Sequence, residues 1–206
     1  MGKNYQLIKL YLLKYQTSHY FKNKKLITAF SKEKLTRLQI RLKKVLRVIY
    51  QYHYKHQTIL FVGLPTVKHK KIYQILKLSK HYFIPKNIWI NGLIRNKGSI
   101  FKYLKLNCVR KEELKSLLTI KKIPDLVVIF DSSENSGSLT EFHKSNIPVI
   151  NFGKISPIEK NKLSYNMENE FISKKLAKFY LFLIYSILKK PKKKNFKLFK
   201  DIFKLF

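Results

Sequence analysis

Ile123-Pro-Asp-Leu-Val-Val-Ile-Phe-Asp131 is the stretch that decides the fold. Its five consecutive apolar residues, Leu126 to Phe130, are β-branched at Val127, Val128 and Ile129, and the turn-prone Ser132 and Ser133 follow Asp131. A run this short and this apolar, without polar alternation, reads as a strand covered on both faces. Two similar runs exist, Thr58-Ile-Leu-Phe-Val-Gly63 before it and Asn146-Ile-Pro-Val-Ile-Asn151 after it, and Tyr82-Phe-Ile84 is a further candidate strand. Helical patterns separate these runs. The expected architecture is therefore an α/β domain of three layers, α/β/α, around a mainly parallel, flavodoxin- or Rossmann-like sheet.

Working outward, the clearest helix is predicted over 35–50, where Leu35, Leu38, Leu42, Val45, Leu46 and Ile49 fall at helical spacing. Ser31 reads as its N-cap. A second helix is expected from Leu64-Pro65-Thr66 to about Lys80, a Gly- and Asn-punctuated irregular stretch over 89–98, and short helices over 111–120 and 139–144. The last helix runs over 171–188, and Pro191 stops it. This divides the chain into a basic helical N-terminal region (1–57) packing on the core, an α/β core (58–190) and a basic, aromatic tail (191–206).

The charge balance restricts the function. Lys and Arg number 44 against 11 Asp and Glu, a formal net charge of +33, whereas solubility asks for a magnitude of only about 2 to 8 in a small domain. Glu33 is the single acid before Lys111. Such an excess, interleaved with aromatic residues, points to nucleic acid rather than to a small acidic substrate. Lys34, Arg37, Arg41 and Lys44 form a second stripe beside the apolar one, and three of the five arginines (Arg37, Arg41 and Arg47) lie in the 35–50 helix. The arginine fork suits phosphate oxygens, which makes Arg37, Arg41, Lys44 and Arg47 candidate RNA contacts. The loop residues Arg95 and Lys97, and Lys192, Lys193 and Lys194 of the tail, complete the candidate RNA contacts. The tail itself also fits a membrane-surface helix or a segment docking on a protein.

Catalytic readings find little support. Gly63 closes a strand, but neither Gly-x-Gly-x-x-Gly nor Gly-Lys-Ser/Thr follows, so a nucleotide-binding turn is not expected, although Lys68, Lys70 and Lys71 could meet phosphates there. Asp131, Glu134 and Glu141 are acids near strand ends without metal-ligand spacing; they are assigned to a strand cap, a loop and a helix surface. Trp89, the only Trp, reads as a buried loop anchor ahead of a base-stacking platform. Cys108 stands alone, which excludes an internal disulfide and suits a reducing compartment. No cofactor, metal or small-molecule substrate is expected. A secretory signal is not visible, and the longest apolar run, over 179–188, falls short of the ~20 residues of a spanning helix. Lys dominates Arg, Asn, Ile, Phe and Tyr are plentiful, and Ala occurs only at Ala29 and Ala177, a usage that follows A/T-only codons.

The order of motifs resembles the small-subunit ribosomal protein uS-two family, relatives of eukaryotic ribosomal protein SA. The resembling elements are the strand ending in Phe61-Val62-Gly63, the loop Trp89-x-x-Gly92-x-x-x-Asn96, the strand from Pro124-Asp125 to Asp131, then Glu141, and the strand around Pro148. By that resemblance, Gly63, Trp89, Gly92, Asn96, Pro124, Asp125, Asp131 and Pro148 are structural motif residues. Between Asn96 and Pro124, where bacterial relatives carry a long helical hairpin, this chain has room for little more than one short helix. The resemblance implies a non-catalytic constituent of the small ribosomal subunit near the head-body junction, with rRNA and neighbouring ribosomal proteins as partners. With the A/T-biased composition it implies a mitochondrial ribosome, a plastid one being the alternative. Neither a homo-oligomer nor membrane attachment is expected. The rival readings are a nucleotide- or metal-dependent α/β enzyme and a basic peripheral membrane protein.

Overall fold

The computed structural model describes residues 27–64, 79–85, 89–107, 115–130, 136–153, 161–167 and 174–188. Five strands form one all-parallel sheet in the order β2-β1-β3-β4-β5. In chain order they are β1 (Ile59–Leu64), β2 (Tyr82–Pro85), β3 (Leu126–Ile129), β4 (Val149–Asn151) and β5 (Tyr165–Asn166). This is the doubly wound 2-1-3-4-5 order, whose direction reverses between β1 and β3. The helices are α1 (Ile27–Tyr54), α2 (Lys97–Asn107), α3 (Lys115–Leu118), α4 (Ser136–Lys144) and α5 (Lys174–Leu188).

The register explains the unbroken apolar runs. Leu60 pairs with Val127 and Val62 with Ile129, and Val127 pairs in turn with Val149. These five side chains face one layer, where Leu117, Leu139, Phe142, Leu93 and Ile94 cover them. The alternate positions Phe61, Phe130 and Phe152 face the other way: Phe61 stacks on Phe83, Phe130 on Phe152, and Phe152 lies 5.0 Å from the Tyr180 ring of α5. All of β1 and β3 is buried. A sheet covered on both faces by helices is the three-layer α/β/α fold, with β3 flanked by β1 and β4.

Local signals set the element ends. Past α1, His56 adopts φ 57 while the Gln57 N–H donates to the Tyr52 carbonyl at 3.0 Å, a left-handed cap that turns the chain into β1. Asn146, at φ 53, repeats the device after α4: the Ile147 N–H donates to the Phe142 carbonyl at 3.1 Å. Gly63, at φ 72, lies where the β1–β2 register slips between Val62 and Leu64. Its glycine is required by a bulge inside the strand.

Three local expectations are corrected. Ser31 lies inside α1 and is not its N-cap, because the helix already starts at Ile27; a Ser within compatible neighbours need not begin a helix. The stretch before Pro124 holds two helices, not one, since α2 occupies eleven residues. Asn96, read as punctuation, caps α2: its carbonyl accepts the Ile100 N–H at 3.1 Å. β5 was not foreseen, because two residues carry no periodicity; it is set by pairing of Tyr165 with Ile150 and Asn166 with Asn151.

The chain divides into two compact units at the step from Val48 to Ile49, within α1, the second unit being Ile49–Leu188. The helix expected after Pro65 with Lys68, Lys70 and Lys71, the acids Asp131 and Glu134, Cys108, and the whole tail with Lys192, Lys193 and Lys194 lie outside the described residues.

Candidate nucleic-acid interface

On α1 the two stripes read from the sequence separate cleanly. Leu38, Leu42, Val45, Leu46 and Ile49 are buried, whereas Arg37, Arg41, Lys44 and Arg47 are all exposed. Their spacing of four, three and three residues places the four cations along one face of α1.

The second candidate region is the loop from Trp89 to Asn96, and its organiser is Glu141 of α4. The Glu141 carboxylate is buried and accepts three backbone N–H groups: Gly92 on Oε2 at 2.9 Å, and Ile94 and Arg95 on Oε1 at 2.7 and 3.3 Å. Expected on a helix surface, Glu141 instead belongs to the interior. The reason is the loop itself, whose turn at Gly92 (φ 89) leaves successive amides converging with no carbonyl to receive them. Leu93 and Ile94 point into the apolar layer, and Trp89 lies edge-on to Phe142 with centroids 4.9 Å apart. The Trp89 indole is thus held against the core as an anchor; its Nε1 is buried and has no partner among the described residues.

Of the two cations expected in the loop, Arg95 lies in it and Lys97 instead opens α2, and both are positioned by carbonyls. The Arg95 guanidinium donates to the Lys144 carbonyl at 3.2 Å, and the Lys97 ammonium donates to the Lys121 carbonyl while sitting 5.4 Å over the Phe101 ring. Both side chains therefore tie the loop to neighbouring elements as well as carrying charge. Pro124 is buried, and Asp125 joins the starts of β3 and β1: its Oδ2 accepts the Thr58 N–H at 2.7 Å and the Thr58 hydroxyl at 2.9 Å, while its own N–H donates to the Thr58 carbonyl at 2.9 Å. The Pro148 carbonyl accepts the Val127 N–H at 3.0 Å, entering β4 in register with β3.

A pair of histidines was not singled out from the sequence. His81, buried just before β2, accepts the Ile59 N–H on Nδ1 at 3.2 Å, and its Nε2 lies 2.8 Å from His53 Nδ1. Because Nδ1 is the acceptor, the proton of neutral His81 sits on Nε2 and is donated to His53. Burial, then the neighbouring His53, lowers the His81 pKa to about 4; burial, then His56, lowers that of His53. No spacing signal could have paired residues this far apart in the chain.

Among the described residues no group of three or more His, Cys, Asp and Glu is placed to hold a metal, and no helix is long and apolar enough to cross a membrane. The family model for ribosomal protein S2 matches residues 19–118, which include α1, β1, β2, the Trp89 loop, α2 and α3. No curated protein matches the chain. β1, β2 and the Trp89-Gly92-Asn96 loop lie within this match, which covers 100 of the 206 residues: over that stretch the chain is similar to ribosomal protein S2, a family of structural proteins of the small ribosomal subunit.

Proposed function

We propose that this protein is a structural constituent of the small subunit of a mitochondrial ribosome, binding small-subunit rRNA and neighbouring ribosomal proteins near the head-body junction. The match of residues 19–118 to the ribosomal protein S2 family model supports the ribosomal role. The observation that carries RNA contact is the exposed row Arg37, Arg41, Lys44 and Arg47 opposite a buried apolar stripe on the same helix. Each cation that meets a phosphate releases condensed counterions, and a rigid helix fixes where those charges sit. Nothing in this row reads bases, so the role is positional. The formal charge of +33 is consistent with such a polyanion partner, and the A/T-codon composition supports an organellar genome.

The test is sedimentation of a tagged chain from purified mitochondria through a sucrose gradient. Co-migration with small subunits that is stripped only by high salt is expected. Reversing Arg37, Arg41 and Lys44 together to Glu should impair incorporation while the isolated chain keeps its helical circular dichroism. Normal incorporation of that triple variant would refute the residue assignment. Recovery of the wild-type chain with floating lipid, or only from plastids, would overturn the partner or the compartment.

A further inference from the structure

Residues 121–123 form an outward bend between two buried anchors. Ile120 on one side is buried, as is Pro124 on the other, whereas Lys121, Lys122 and Ile123 are exposed, Ile123 to 61%. The bend is pinned at its backbone. The Lys121 carbonyl receives the Lys97 ammonium, the Lys122 N–H donates to the Tyr82 hydroxyl at 3.2 Å, and the Ile120 N–H donates to the Leu117 carbonyl at 3.2 Å. Two lysine stems therefore leave a fixed base, and a third ammonium, that of Lys97, is held against the same peptide. The adjacent acid does not neutralise them by default, because the Asp125 carboxylate is engaged with both the amide and the hydroxyl of Thr58.

Two exposed lysines leave one pinned bend, the Lys97 ammonium is bound to its backbone, and an exposed isoleucine stands beside them. Ammonium groups carried on a pinned backbone beside a small apolar surface suit an RNA strand, which offers phosphates to the charges and a sugar or base face to the side chain. We infer that the bend at Lys121, Lys122 and Ile123, with Lys97 behind it, is a second RNA-contact surface that grips the phosphate backbone. The inference rests on the reading of the chain as a ribosomal RNA-binding protein and adds a contact point on the α/β core to the row on α1.

The experiment uses the full chain and a short fluorescein-labelled RNA hairpin, with anisotropy followed at several salt concentrations. The variant Lys121→Ser/Lys122→Ser removes two ammonium groups without touching the backbone bonds that pin the bend, so its thermal melt should match the wild type. Its affinity should fall, and the slope of log Kd against log salt should lose about 2. Lys121→Arg/Lys122→Arg should restore both. Lys55→Ser/Lys80→Ser, which removes two exposed lysines elsewhere, should change the slope less. An equal change in that control, or an unchanged slope in the bend variant, overturns the inference; if the triple reversal on α1 still weakens RNA binding, the ribosomal reading stands without it. Failure of the wild-type chain to bind the hairpin overturns both.

Discussion

The Oε1 atom of Glu141 lies 2.7 Å from the amide nitrogen of Ile94, so a buried carboxylate on α4 holds a loop that is 47 residues away in the chain. Hydrogen bonds to an ionised acceptor contribute about 1.5–3 kcal/mol, and a buried amide deprived of its partner costs about 1–3 kcal/mol. Glu141→Gln presents an NH2 group to at least one N–H donor and should lower the unfolding free energy by about 1–3 kcal/mol. Glu141→Ala should cost more, because Gly92, Ile94 and Arg95 all lose their acceptor. Urea denaturation of both variants checks this; equal stability of Glu141→Gln and wild type would show that the loop does not depend on the carboxylate.

Two glycines of neighbouring turns should respond to alanine with opposite signs. At Gly92, φ is 89 and an added Cβ would sit 3.3 Å from Ile100 Cδ1, so Gly92→Ala combines backbone strain with crowding. The cost should be about 1–3 kcal/mol. Gly98, in the first turn of α2, has nothing within 4 Å of the added methyl. There Gly98→Ala should be neutral to stabilising, by up to about 1 kcal/mol, because alanine restricts the unfolded chain. Thermal melts of the pair decide it, and destabilisation by Gly98→Ala would contradict the open environment.

The legible part of this fold was the part governed by short-range chemistry. Val127, Val128 and Ile129 announce a strand buried on both faces because no polar residue interrupts them, and the same holds for Ile59 to Val62. The α1 stripes were legible because periodicity alone separates Leu42 from Arg41. What stayed hidden depends on partners far along the chain. Glu141 looks like any helix-surface acid until the amides of Gly92 and Ile94 are brought to it, and His53 carries no mark that identifies His81. Asn96 was legible as a breaker but not as a cap, since the same side chain serves both and only the following turn decides.

Thr58 and Asp125 define the offset of β1 against β3. The pair is exposed, so each bond contributes at the low end of the usual range, about 0.5–1.5 kcal/mol. Thr58→Val removes the hydroxyl bond at nearly constant shape and leaves the amide bond intact. Asp125→Ala removes both. The second variant should therefore be the less stable one in urea, and the double variant should lose less than the sum, because the hydroxyl bond is counted in each single change. Strict additivity would mean that the hydroxyl and the carboxylate do not interact.

The histidine pair gives the stability a defined dependence on acid. His81 must be neutral to accept the Ile59 N–H, and His53 must be neutral at Nδ1 to accept from His81. Protonating His81 would set two donors against each other at Ile59. With the His81 pKa lowered from 6.5 to about 4, the unfolded chain binds the proton more readily than the folded one between those values. The stabilisation is thus complete above pH 6.5, is lost as pH falls toward about 4, and amounts to about 3 kcal/mol for His81 alone. Urea unfolding from pH 7 down to pH 4.5 should show it, with a flatter profile in His81→Gln. An unchanged profile in that variant would place the acid sensitivity elsewhere. Nitrogen-detected NMR at neutral pH should find the His81 proton on Nε2, and a proton on Nδ1 would contradict the hydrogen bond from Ile59.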